Sequence, residues 1–221
     1  MSIRELRFGA KGAAVGKAKS LVVFVHGYGA DGADLLDIGD VLAPHLPGAA
    51  FVSPDAPEKC VNNPFGYQWF PIPWLDGSSE EAAKAGMAQS VKDLNAFLDK
   101  RLEEYGLKPE ALALVGFSQG AMMSLHIAPR RAEKIAGVVA ISGRLLVPET
   151  LEDEAQVKPP VLLMHGDQDQ VVPFQDMTLA GNALVDAGFE TYGHVMRGMG
   201  HGISQDGLSV ALQFLSERLP K

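Results

Sequence analysis

Cysteine is nearly absent. Cys60 stands alone among 221 residues, so no disulfide can close within the chain. Long apolar runs are missing as well: no stretch reaches the ~20 apolar residues that a membrane-spanning helix needs. Residues Met1 to Phe8 carry two arginines and no apolar segment of the kind a secretory signal requires. The expectation is a cytoplasmic protein without stable membrane insertion. Basic residues are the minority, 19 against 27 acidic ones, for a formal charge of −8. That balance argues against a nucleic-acid partner, because phosphate binding needs clustered Lys and Arg. Repeats and low-complexity tracts are also missing. With 47% hydrophobic and 21% charged residues, the chain is rich enough in apolar side chains to fold around a core without disulfide or metal.

What is present is an alternation of short apolar runs with longer helical stretches. Leu21 to Val25 is apolar on both faces and β-branched, which reads as a buried parallel strand. Further strands are predicted at 49–52, 111–115, 138–141, 161–164 and 191–196. Helices are predicted at 34–46, 80–105, 121–128, 174–187 and 204–219. In the helix over 80–105, Val91, Leu94, Leu98 and Leu102 recur near helical spacing. Alternating β and α elements imply one α/β domain over residues 1–221, with a mostly parallel sheet and helices on both faces. Ligands in such sheets bind beyond the carboxyl ends of the strands. One stretch breaks the alternation. Pro54 to Gly77 holds several prolines with Phe65, Tyr67, Trp69, Phe70 and Trp74, and reads as a long loop that lids or lines a groove.

The residues that follow strands carry the chemistry. Gly116-Phe117-Ser118-Gln119-Gly120 fits G-x-S-x-G between a strand and a helix, the turn that exposes a nucleophilic serine. A serine hydroxyl needs a base, a group that orients the base, and donors for an oxyanion. Of six histidines, His201 follows the last strand within Gly198-Met199-Gly200-His201-Gly202, where a glycine-rich loop can bring an imidazole over Ser118. Two carboxylates, Asp167 and Asp169, compete for the acid in the loop after the strand over 161–164. A D-x-D pair can also suggest a metal, but no further ligand cluster accompanies it. The backbone N–H of Gln119, and that of Tyr28 in His26-Gly27-Tyr28-Gly29, are the candidate oxyanion donors.

Together, His26-Gly27-Tyr28-Gly29, Gly116-Phe117-Ser118-Gln119-Gly120, His165-Gly166 with Asp169 and Val172-Pro173, and Gly200-His201 resemble the phospholipase/carboxylesterase family of small α/β-hydrolases. The resemblance spans roughly residues 20 to 219. It implies an α/β-hydrolase fold and hydrolysis of short- to medium-chain carboxylic esters, or of lysophospholipids or acyl-protein thioesters, without cofactor or metal. It implies homodimers in many members. It also favours Asp169 as the acid, four residues beyond His165 and ahead of Val172-Pro173. Trp69 and Phe70 resemble the family's Trp-Phe near the acyl site, and Val172 and Met199 fall where they could line the same pocket.

Two readings from other classes compete. Gly27-Tyr28-Gly29-Ala30-Asp31-Gly32 spells the dinucleotide fingerprint G-x-G-x-x-G after a buried strand, which would make the protein an NAD-dependent oxidoreductase. Asp31 would then set a carboxylate beside the pyrophosphate, and Asp55 comes too late for the ribose. The other reading is a hydrolase fold kept for binding alone. A site without chemistry would be free to lose one of Ser118, Asp169 and His201, and all three are present.

Overall fold

The computed structural model describes residues 2–220. In chain order the strands are β1 (Phe8–Gly12), β2 (Ser20–Val25), β3 (Ala49–Pro54), β4 (Glu58–Lys59), β5 (Tyr67–Gln68), β6 (Leu112–Phe117), β7 (Gly137–Ile141), β8 (Val161–Gly166) and β9 (Thr191–Met196). The helices are α1 (Gly32–Leu42), α2 (Pro73–Asp76), α3 (Glu80–Tyr105), α4 (Gln119–Ile127), α5 (Leu151–Glu154), α6 (Gln175–Asp186) and α7 (Gln205–Arg218). Seven strands form one sheet in the order β1-β3-β2-β6-β7-β8-β9. All neighbours pair in parallel except β1, which runs antiparallel to β3.

Period-two patterning divides the core. Leu21, Val23 and Val25 of β2 face α3, α4 and α6, whereas Val22 and Phe24 face α1 and α7. Every residue of β2, β3, β7 and β8 is buried, which is why these strands read as continuous apolar runs. The chain proceeds from β2 outward to β3, then returns to β6 on the other side of β2. That reversal is a topological switch point, the place where ligands of such sheets bind beyond the carboxyl ends of the strands. Ser118 follows β6 and Tyr28 follows β2, so the two flank it.

The architecture is the predicted one, with differences at particular elements. α1 stops at Leu42 and not near Leu46, because Pro44 has no N–H to donate; Ala43 before it still has helical angles and bonds Gly39 O. β1 was not foreseen; its Phe-Gly-Ala-Lys-Gly sequence lacks apolar alternation, and only the backbone ladder to β3 makes it a strand. Residues 54–77 are more ordered than a plain loop. β4 and β5 form a two-stranded antiparallel ribbon, and Pro73 nucleates α2 at its first turn. Among the described residues, no helix is long and apolar enough to cross a membrane.

The amino-terminal segment is tied to α3 through Asp93, whose side chain is wholly buried. Its carboxylate accepts from Arg4 N at 2.8 Å, Arg4 Nε at 2.7 Å and Gln89 Nε2 at 2.8 Å. Asp93→Ala leaves Arg4 N and Nε without an acceptor, while Gln89 Nε2 keeps Ser2 O, and is expected to lower unfolding free energy by about 2 kcal/mol. Urea denaturation measures that loss, and hydrogen exchange should show residues near Arg4 deprotected before the sheet.

Candidate active site

A single residue joins β6 to α4. Ser118 lies at φ 53°, ψ −117°, a conformation that costs an L-residue on the order of 1–3 kcal/mol. The surroundings hold it there. Its N–H donates to Ile141 O at 2.8 Å, and its carbonyl accepts from Met122 N at 3.1 Å. The flanking glycines serve close packing. A Cβ at Gly120 would sit 1.8 Å from Val25 O, and one at Gly116 would sit 2.4 Å from Gly120 O. The end of β2, the end of β6 and the start of α4 therefore meet with no room for side chains between them.

The same approach brings the loop after β2 against the serine: a Cβ at Gly27 would lie 3.2 Å from Ser118 Cβ. Neither the Tyr28 N–H nor the Gln119 N–H has a protein acceptor among the described residues. The Tyr28 ring turns away, and its hydroxyl donates to Asp76 at 3.3 Å. Burial, with Cys60 and Asp76 nearby, pushes that phenol above its ordinary pKa, so it stays a neutral donor. His26, fully buried, fixes the loop from below. Its Nε2 accepts from Ala56 N at 2.9 Å, which places the proton on Nδ1, 2.7 Å from Gly27 O. Burial holds this imidazole below its ordinary pKa, partly offset by the bond to Gly27.

Asp169 and His201 come together in the loops after β8 and β9. His201 Nδ1 is 2.8 Å from Asp169 Oδ2, and the other carboxylate oxygen accepts from Val171 N at 2.9 Å and Val172 N at 3.0 Å. Burial alone would raise the Asp169 carboxyl. The hydrogen bonds from His201 and the two amides outweigh it and hold the group below the usual carboxylate range. His165 adds a second imidazole, with Nε2 at 3.3 Å from Asp169 Oδ2 and 2.9 Å from Val172 O. The His201 ring lies 4.9 Å from the Phe117 ring, next to Ser118 in sequence. Asp167 has other work: its Oδ1 accepts from Gly198 N at 2.7 Å and so ties down the loop that carries His201.

The four pocket candidates separate. Phe70 is nearly buried and Trp69 fully so, with the indole N–H donating to His26 O at 2.9 Å. Trp69 is thus a core side chain behind the site. Val172 is buried and gives its amide to Asp169; Met199 is half-buried against the α7 face of the core. Sequence reasoning missed three polar groups: the carboxamide of Gln119, the hydroxyl of Ser90 and the ring of His26. A serine and a glutamine among apolar neighbours were the available signals.

The dinucleotide fingerprint has a different explanation. Asp31 is the N-cap of α1, accepting from Ala33 N and Asp34 N, while Asp34 accepts from Asp31 N. Gly32 N donates to Asp55. The amides that would bind a pyrophosphate are thus already engaged by carboxylates. Size of cavity alone points elsewhere too. A cleft of about 550 Å³ lined by Lys17, His45, Leu46 and Leu219 opens at the amino-terminal edge of the sheet, opposite Ser118.

The model of the phospholipase/carboxylesterase family matches residues 13–219. Acyl-protein thioesterase 1 homolog 1 of Dictyostelium discoideum is 30% identical over 206 residues, which cover 90% of this chain and 91% of that protein. Esterase YpfH of Escherichia coli K12 is 29% identical over 204 residues, covering 92% and 85%. The crystal structure of esterase PE8 superposes with a TM-score of 0.92 at 44% identity, covering 98% of this chain and all of that one.

Buried His26 and half-buried His126 make stability depend on pH. His126 in α4 is lowered from 6.5 to about 4 by burial and by Arg130, and His26 is lowered in the same direction. The unfolded chain therefore takes up protons that the folded chain refuses as pH falls below 6.5. The melting temperature is expected to drop from pH 7 toward pH 4.5, and His126→Leu should shrink that drop in parallel thermal scans.

Proposed function

The chain belongs to the phospholipase/carboxylesterase family, and on that premise we propose that it is a serine carboxylesterase in which Ser118, His201 and Asp169 form the catalytic triad. Carboxylic esters and thioesters are the substrate class that its relatives imply. The observation that carries the residue assignment is the pairing of a strained Ser118 at the switch point with a part-buried Asp169–His201 bond of 2.8 Å.

In this reading Ser118 Oγ attacks the ester carbonyl and its proton passes to His201 Nε2. Asp169, acceptor for Nδ1–H, fixes that tautomer and stabilises the imidazolium as it forms. Because Asp169 is held below the usual carboxylate range, it stays ionised through the turnover. The amides of Tyr28 and Gln119 receive the oxyanion; a lost donor in comparable sites costs about 3–4 kcal/mol. The amino end of α4 adds partial positive charge beside them. His201 then returns its proton to the departing alcohol or thiol. Water, activated by the same imidazole, cleaves the acyl-serine and restores the enzyme. In this reading Phe70, bonded through its carbonyl to Gln119, borders the acyl side, and Trp69 is buried behind it.

Ser118→Ala is expected to reduce turnover of p-nitrophenyl esters by about 10⁴-fold or more with an unchanged circular dichroism spectrum. Asp169→Asn should lower kcat by about 10⁴-fold, whereas Asp167→Asn, which keeps an acceptor for Gly198 N–H, should lose less than about tenfold. Equal losses at the two aspartates would reverse the choice of acid.

A further inference from the structure

Gln119 supplies more than its backbone amide. The side chain is 1% exposed and turns from the nucleophile elbow toward the aromatic segment. Its Oε1 accepts from Trp69 N at 2.8 Å, and its Nε2 donates to Phe70 O at 2.8 Å. The orientation of the carboxamide is unambiguous, since one partner can only donate and the other only accept. Trp69 has two further anchors. Its indole N–H donates to His26 O, at the end of β2, and its carbonyl accepts from Ser90 Oγ of α3. Residues 69–70 are neither helix nor strand, so they have no ladder of their own. Their place relative to Ser118 is set by polar contacts from three other elements, and Gln119 makes two of them.

We propose that Gln119 is a positioning residue: its carboxamide clamps the Trp69–Phe70 backbone to the nucleophile elbow and thereby sets the depth of the acyl site. The inference rests on the carboxylesterase reading above. Gln119 is the one residue that bonds the wall while adjoining Ser118 and offering an N–H toward the oxyanion. A rigid carboxamide between them fixes how far the acyl chain extends before it meets Phe70. In an apolar pocket one methylene changes discrimination by about 10–200-fold, so a small displacement of this wall suffices to alter chain-length preference.

The test compares kcat/KM for p-nitrophenyl acetate and p-nitrophenyl octanoate, per active site titrated with a fluorophosphonate. Two variants are used. Gln119→Met keeps the length of the side chain but leaves Trp69 N–H and Phe70 C=O unpartnered. Ser90→Ala loosens the same wall from α3 without touching the elbow. The acetate-to-octanoate ratio is expected to fall by about tenfold in Gln119→Met and in the same direction, by less, in Ser90→Ala. A role confined to folding would lower the number of titratable sites and leave the ratio per site unchanged. An unchanged ratio in both variants overturns the proposal; if Gln119→Met does not fold, an unchanged ratio in Ser90→Ala overturns it alone. Wild-type protein that cannot be titrated at all defeats the carboxylesterase reading from which the proposal starts.

Discussion

Val25 O stands 1.8 Å from where a side chain at Gly120 would begin. The rest of the site depends on that close approach. It brings the end of β2 against the start of α4, and since α4 follows β6 by one residue, it leaves Ser118 no relaxed conformation to adopt. Two consequences follow from the same contact. The serine is held at φ 53°, where the sheet reverses direction. The loop carrying Tyr28 is brought beside it, where a Cβ at Gly27 would lie only 3.2 Å from Ser118 Cβ. Close backbone packing, and not the conformational freedom of glycine, is what the glycines of this turn provide: neither Gly116 nor Gly120 has a positive φ.

Around that contact the structure places buried polar groups whose partners are all specified. His26, Trp69, Gln119 and Ser90 form a connected set linking β2, the aromatic segment, α4 and α3. Asp169 is the second such centre, with two amides on one oxygen and two imidazoles near the other. Groups of this kind cost several kcal/mol when left unpaired and little when satisfied. They therefore specify geometry more than they add stability. On the proposed reading, one centre orients the base and the other holds the Trp69–Phe70 segment and the loop that carries Tyr28.

Much of this was legible in the sequence, and the reasons are physical. The buried parallel strands declare themselves because both faces must be apolar, as at Leu21 to Val25. Ser118, Asp169 and His201 were chosen because ligands in such sheets bind just past strand ends, and each lies in the segment after a strand. The choice of Asp169 over Asp167 drew on family resemblance; Asp169 lies against His201, while Asp167 is bonded to Gly198 N. What stayed hidden depends on tertiary context. β1 is a strand only because β3 offers it a ladder. Trp69 read as a pocket residue, yet its ring is buried behind the site, which spacing cannot reveal. The carboxamide of Gln119 and the hydroxyl of Ser90 lie far apart in sequence and meet only through Trp69.

The central claim is that one serine, at one strained turn, is the nucleophile. Peptide mapping by mass spectrometry after brief exposure of the folded protein to a fluorophosphonate tests it most directly. A single adduct is expected, on the peptide containing Ser118, formed at a rate that collapses when the protein is unfolded in urea beforehand. A folded protein that takes up no adduct, or takes it up at another residue such as Ser142 with Ser118 unmodified, would contradict it.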